Sequence, residues 1–163
     1  MTRRGGSAAS AIVMAGLIAG TLDITAAIVF FGPRVPVRIL QSVATGLLGR
    51  AAFSGGAATA LLGTGLHFLI ATGAAAVYYL ASRRLAVLRE RPWLAGPLYG
   101  MLVYLFMARV VIPLSAARVQ PLTLLMLAIH IVCVGLPIAL AVRRFGPQAA
   151  PASSKEVSAP PAA

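Results

Sequence analysis

The chain has 163 residues, of which 60% are hydrophobic and 10% charged, where soluble domains run near ~25% charged. That deficit excludes an ordinary soluble domain, which needs more polar residues to cover its surface. The net charge of +11 suggests a nucleic-acid partner, but the basic residues flank apolar runs, as topology determinants do. No basic stripe interleaved with aromatics lies on a polar segment, so no nucleic-acid partner is expected.

Residues 1–7 form a short tail carrying Arg3 and Arg4. The apolar run that follows, 8–31, is long enough to cross the ~30 Å hydrocarbon layer, which takes ~20 helical residues. It is not a typical cleaved leader. It carries Asp23, and its one A-x-A-like match, Thr25-Ala26-Ala27, is followed by apolar sequence through Phe31.

The segment 34–50 is not polar, yet it is too short to span. Pro36 can open a helix. Ile39, Leu40, Val43, Leu47 and Leu48 then recur at helical spacing, opposite Arg38, Gln41, Ser42 and Thr45. That pattern reads as an interfacial amphipathic segment, or else as a re-entrant loop or an early start of the second span.

Three further apolar runs follow, at 56–80, 93–112 and 122–142. The fold class is therefore an all-α membrane protein, a four-transmembrane-helix bundle over 8–142. Residues 143–163 are rich in Pro, Ala and Ser and read as a disordered tail.

Arg3, Arg4, Arg83, Arg84, Arg89, Arg91, Arg143, Arg144 and Lys155 fall on the side of the termini. Arg34, Arg38, Arg50, Arg109 and Arg118 fall on the other. The positive-inside rule then places both termini in the cytoplasm.

A shift of 80 positions superposes Ala15, Gly16, Gly20, Leu22, Pro33 and Arg38 on Ala95, Gly96, Gly100, Leu102, Pro113 and Arg118. A shorter second loop then brings His67 onto His130. This reads either as two parallel-repeat hairpins or as the shared composition of glycine-rich membrane helices.

Ionisable groups inside a membrane are costly and mark functional candidates. There are four: Asp23, His67, Arg109 and His130. At ~1.5 Å per residue they lie about 12, 16, 5 and 12 Å below the ends of their spans remote from the termini. Asp23 shares a face with Gly16, Gly20 and Ala27. His67 shares one with Gly56, Ala60, Gly63, Ala71 and Ala74. Such small-residue stripes face other helices, so Gly16, Gly20, Gly63, Gly96 and Gly100 are the helix-packing candidates.

Several uses of these groups are open. Asp23 can pair with Arg109, or Arg109 can snorkel to the headgroups. The histidines can bond neighbouring helices, ligate one haem b from opposite helices, or join Asp23 in a proton relay or a small-solute transporter. Cys133 reads as a small buried apolar residue. A soft-metal site from His67, His130, Cys133 and Met126 is conceivable, yet Met and Cys at helical spacing are commonly core. No metal or resident cofactor is expected. No nucleophile elbow, H-E-x-x-H pair or P-loop occurs, so no catalytic residue is assigned and no enzyme is expected.

Gly16-x-x-x-Gly20-x-x-Asp23, the run Leu66-His67-Phe68-Leu69-Ile70-Ala71, Tyr99-Gly100 and Pro113-Leu114-Ser115 resemble small bacterial inner-membrane proteins of the YagU kind, built from about four helices. The resemblance covers roughly residues 12–142. It implies a bacterial inner membrane and carries over no functional residue. The expectation is a small non-enzymatic membrane protein. Its polar intramembrane cluster either stabilises the bundle or binds a small ligand, a membrane partner subunit or a second copy.

Overall fold

A computed structural model describes residues 7–119 and 121–146. Of the expected tails, 1–7 and 143–163, residues 1–6 and 147–163 lie outside the described residues, while 143–145 are not tail but the last residues of the fourth span's helix. All regular structure among the described residues is helical, and four helices are long and apolar enough to cross a membrane.

Helix α1 (Ala8–Phe31) starts at Ser7, whose side chain accepts from the Ser10 N–H at 3.1 Å. Such a cap satisfies one of the donors that a helix start leaves open. The helix stops at Gly32, before Pro33, and the Gly32 N–H closes on the Ile28 carbonyl. Its surface is apolar all round, the pattern of a helix whose solvent is lipid.

Helix α2 (Pro36–Leu48) begins on proline and ends at Gly49, whose φ of +54° suits glycine. A 3-10 turn, Gly49–Ser54, leads to α3 (Gly56–Arg84). The sequence pattern stopped the second span at residue 80. The helix continues through Arg83 and Arg84, whose charges suit a helix C-terminus.

A single turn, α4 (Val87–Glu90), joins α3 to α5 (Pro92–Phe106), which runs on through a π-helical turn, Met107–Val111. The fourth span is built in three pieces: α6 (Leu124–Ile129), a π-helical turn at His130–Gly135, and α7 (Leu136–Phe145). Pro137 explains the break. It has no N–H to donate back to the preceding turn, so it sits in the first turn of α7, where that donor is not needed.

α1 packs against α3 on one side and the fourth span on the other, and the fourth span packs in turn on α5. A carbon added at Gly16 would lie 2.6 Å from Thr72 Cα, and one at Gly20 2.8 Å from the Phe68 ring. In the second hairpin, a carbon at Gly96 would lie 2.8 Å from Leu136 Cα, and one at Gly100 2.7 Å from Ile131 Cα. Residue numbers rise on one helix as they fall on the other, so both hairpins are antiparallel. The glycines related by the 80-residue shift thus occupy the same place in each hairpin. The closest approach is in the second, where Gly135 leaves room for the backbone of Gly96 and Gly100.

Gly63 packs differently from the other glycines. A side chain there would fall on the Leu40 carbonyl, so Gly63 admits α2 rather than another span. α2 is turned accordingly. Gln41, which the periodicity put on the polar side, is buried with Ala44, and its amide donates to the Gly56 carbonyl at 3.0 Å. Two residues of the expected apolar face, Leu47 and Leu48, are exposed instead. The reason is polar: a lipid-facing amide would have no partner, whereas here the Gln41 amide also reaches the Thr59 hydroxyl, and the Gly56 carbonyl takes it on its second lone pair.

At the end carrying the tails, Ala11, Ala15, Ala19, Ala75, Tyr78, Tyr79, Val134 and Ile138 form one core. The Tyr78 hydroxyl donates to the Leu88 carbonyl and the Tyr99 hydroxyl to the Ala74 carbonyl, each at 2.7 Å. Their rings meet edge to face, an arrangement aromatic pairs prefer.

The seams make a direct prediction. Gly100→Val forces backbones apart and costs ~1–3 kcal/mol or more. Gly73→Ala, with nothing within 4 Å of the added carbon, gains ~0.5–1 kcal/mol from helix propensity. Thermal unfolding in detergent separates the two. Equal midpoints would refute a load on the glycine seam.

Candidate functional site

α1 carries the one carboxylate inside the membrane-spanning helices. Asp23 stands one turn after Gly20, on the stretch of α1 that runs beside the fourth span. Its Oδ1 is enclosed and has no hydrogen-bond partner. Cys133 sits inside the π-helical turn and is only partly buried.

Arg109 does not complete this site. Its side chain is exposed on the π-helical end of the third span. Of the two uses open to Arg109, the pair with Asp23 is not formed, and Oδ1 has no donor among the described residues. The physical reason is topological: α1 is flanked by α3 and the fourth span, so α5 and its extension stand one helix away. The long arginine stem serves its charge better at the polar boundary than across that distance.

His67 is committed to packing. Its Nε2–H donates to the Gly20 carbonyl at 2.8 Å, and its ring meets Phe68 edge-on. The Gly20 seam is what brings α1 and α3 close enough for this bond. A carbonyl oxygen has two lone pairs, so it takes this donor in addition to its helical one.

His130 has a different partner. Its Nδ1–H donates to the Met126 carbonyl of its own helix at 2.9 Å, and its ring lies 5.1 Å from the Tyr104 ring of α5. The Tyr104 hydroxyl accepts from the Thr123 N–H at 2.8 Å, tying α5 to the start of the fourth span. The two histidines are equivalent in the shifted alignment, yet one bonds across helices and one within its own. The π-helical turn that begins at His130 accounts for this, because it alters the side-chain register of that helix relative to α3.

The four sequence candidates thus do not share one contact network. His67 is turned to α1, His130 to α5, and Arg109 is exposed. Asp23 is left with its Oδ1 unpartnered. Among the described residues, no three His, Cys, Asp or Glu side chains form a group able to hold a metal ion.

Comparison with family models, with curated proteins and with solved structures finds no match to this chain.

The two histidines differ in what their loss should do. His67→Ala removes a bond between helices and costs ~1–2 kcal/mol. His67→Gln restores part of it, and His130→Ala costs less because its bond joins no second helix. Unfolding midpoints of the three variants check the order, and a larger loss in His130→Ala than in His67→Ala would overturn it.

Proposed function

We propose that this integral membrane protein is a non-enzymatic binding component of a bacterial inner membrane, with both termini in the cytoplasm. In this reading Asp23 is the group that engages its ligand. The observation that carries it is the enclosed Oδ1 with no donor. Such an acceptor costs ~1–3 kcal/mol when left unsatisfied, and more when charged. Native structures keep few of these, and each calls for an explanation.

The chemistry that answers it is cationic. An ionised carboxylate only accepts hydrogen bonds, so it pairs with a donor that brings positive charge. No cation among the described residues fills that role: Arg109 is exposed, and both histidines are engaged with backbone carbonyls. The matching partner is a small organic ammonium ion, or a basic side chain on a neighbouring transmembrane subunit. The arginine distribution supports the orientation, and the resemblance to small proteins of the YagU kind supports the compartment.

A transporter built on Asp23, His67 and His130 has less support. Both histidines are bonded in place, and the core at the tail end of the bundle is made of alanines, tyrosines and aliphatic residues, with no carboxylate or histidine. A haem held by both histidines has less again, since their rings are turned to different helices.

The test uses the purified protein in detergent. Asp23→Leu should raise the unfolding midpoint of the unliganded protein, by the equivalent of ~1–3 kcal/mol, because the orphaned acceptor is gone. A panel of sodium, methylammonium and tetramethylammonium should stabilise the wild type selectively and leave Asp23→Leu unmoved. A wild type indifferent to every cation, with no partner protein crosslinking near Asp23, would refute the reading. Proton or ammonium flux into proteoliposomes, lost in Asp23→Asn, would establish the transporter instead.

A further inference from the structure

At the end of the bundle remote from the tails, α2 crosses the first turns of α3. Beside the crossing lies an apolar groove of about 290 Å³, lined by Val37 and Leu40 of α2 and by Gly56, Ala57, Ala60, Leu61 and Thr64 of α3. It extends over two turns of α3, ~12 Å at ~1.5 Å per residue. Its rim is open, since Val37 and Leu61 are 49% and 72% exposed. The lining is almost wholly hydrocarbon, with the Thr64 hydroxyl turned back to the Ala60 carbonyl at 2.9 Å.

The same end is strongly basic, with no acidic residue there among the described residues. Arg34, Arg38, Arg50, Arg109 and Arg118 all lie there and are exposed. The chain has three acids, Asp23, Glu90 and Glu156. Asp23 is inside the membrane, Glu90 is at the opposite end in α4, and Glu156 belongs to the C-terminal tail. Arg38 follows the lining residue Val37 on α2, and Arg34 lies in the turn that leads into α2. The Arg38 guanidinium rests over the Phe53 ring at 5.2 Å, which restrains it at the edge of the crossing.

From this pairing of an apolar slot with unneutralised arginines at its mouth, we infer that the α2–α3 crossing is a binding site for one anionic phospholipid. An acyl chain fills the groove, and the phosphate takes hydrogen bonds from Arg34 and Arg38. The planar guanidinium donors match phosphate oxygens. Each arginine near an anionic headgroup contributes attraction worth about fivefold in affinity. Such a lipid supplies both things this end lacks, a hydrocarbon filling and a negative charge. A zwitterionic lipid supplies only the first.

Native mass spectrometry of the protein released from vesicles of equal phosphatidylglycerol and phosphatidylcholine reads this directly. The wild type should retain one phosphatidylglycerol in preference to phosphatidylcholine. Ala57→Phe, at an exposed position on the groove wall, should displace it, and Ala57→Leu serves if the phenylalanine impairs folding. Arg34→Gln and Arg38→Gln should each weaken retention about fivefold, while Arg118→Gln leaves it unchanged. Equal retention of the two lipids would overturn the proposal. So would phosphatidylglycerol retention indifferent to both Ala57 variants, or loss of the same size in Arg118→Gln, which marks a diffuse surface field. Because Asp23 takes no part, these outcomes are independent of the cation-binding experiment.

Discussion

In lipid, burying an apolar side chain against another helix gains little, because the acyl chains are equally apolar. What holds these helices is the closeness of their backbones. Gly16 and Gly20 on α1, and Gly96, Gly100 and Gly135 in the second hairpin, let the chains approach to distances that any side chain would forbid. Dispersion contacts are individually small and add up only at such range. The other features follow from where these seams run. His67 reaches Gly20 because that glycine admits α3. The His130 region touches α5 because Gly100 admits the fourth span.

Against that background the polar groups separate by how well they are satisfied. Tyr78, Tyr99, Gln41, His67 and His130 each have a backbone carbonyl to bond. These bonds replace water in a solvent that offers none. The Oδ1 of Asp23 is the exception. A bundle selected for stability alone would place an apolar residue there at no cost to the seams, since Gly20 and Ala19 already make the contact. The carboxylate is therefore best explained by something other than packing.

Some of this was readable from the residues. The four spans follow from run length, and the seam glycines from their i, i+4 spacing. The correspondence of Gly16 and Gly20 with Gly96 and Gly100 follows from the 80-residue shift. Three features escaped, each for a physical reason. The orientation of α2 was hidden because its buried face is chosen by a hydrogen bond: Gln41 turns inward to bond the start of α3. The dispersal of the ionisable groups depends on which spans are neighbours, and periodicity along one helix says nothing of that. The register of the fourth span depends on an extra residue accommodated ahead of Pro137, and a 3.6-residue template misplaces every side chain beyond it.

That register change also explains why two hairpins with matching seams are not interchangeable. In the first, α3 is continuous from Gly56 to Arg84, so His67 stays on the face that meets α1. In the second, a π-helical turn begins at His130, whose ring bonds the Met126 carbonyl of its own helix. The first half gains α2 instead, which occupies Gly63 one turn from His67. Two departures from the shared scaffold thus bear on the sites: the π-helical turn of the fourth span, which sets the bonding of His130, and α2, which builds the groove at the arginine-rich end. The glycine seams are what allow both, because they hold the helices together without recruiting the residues that differ.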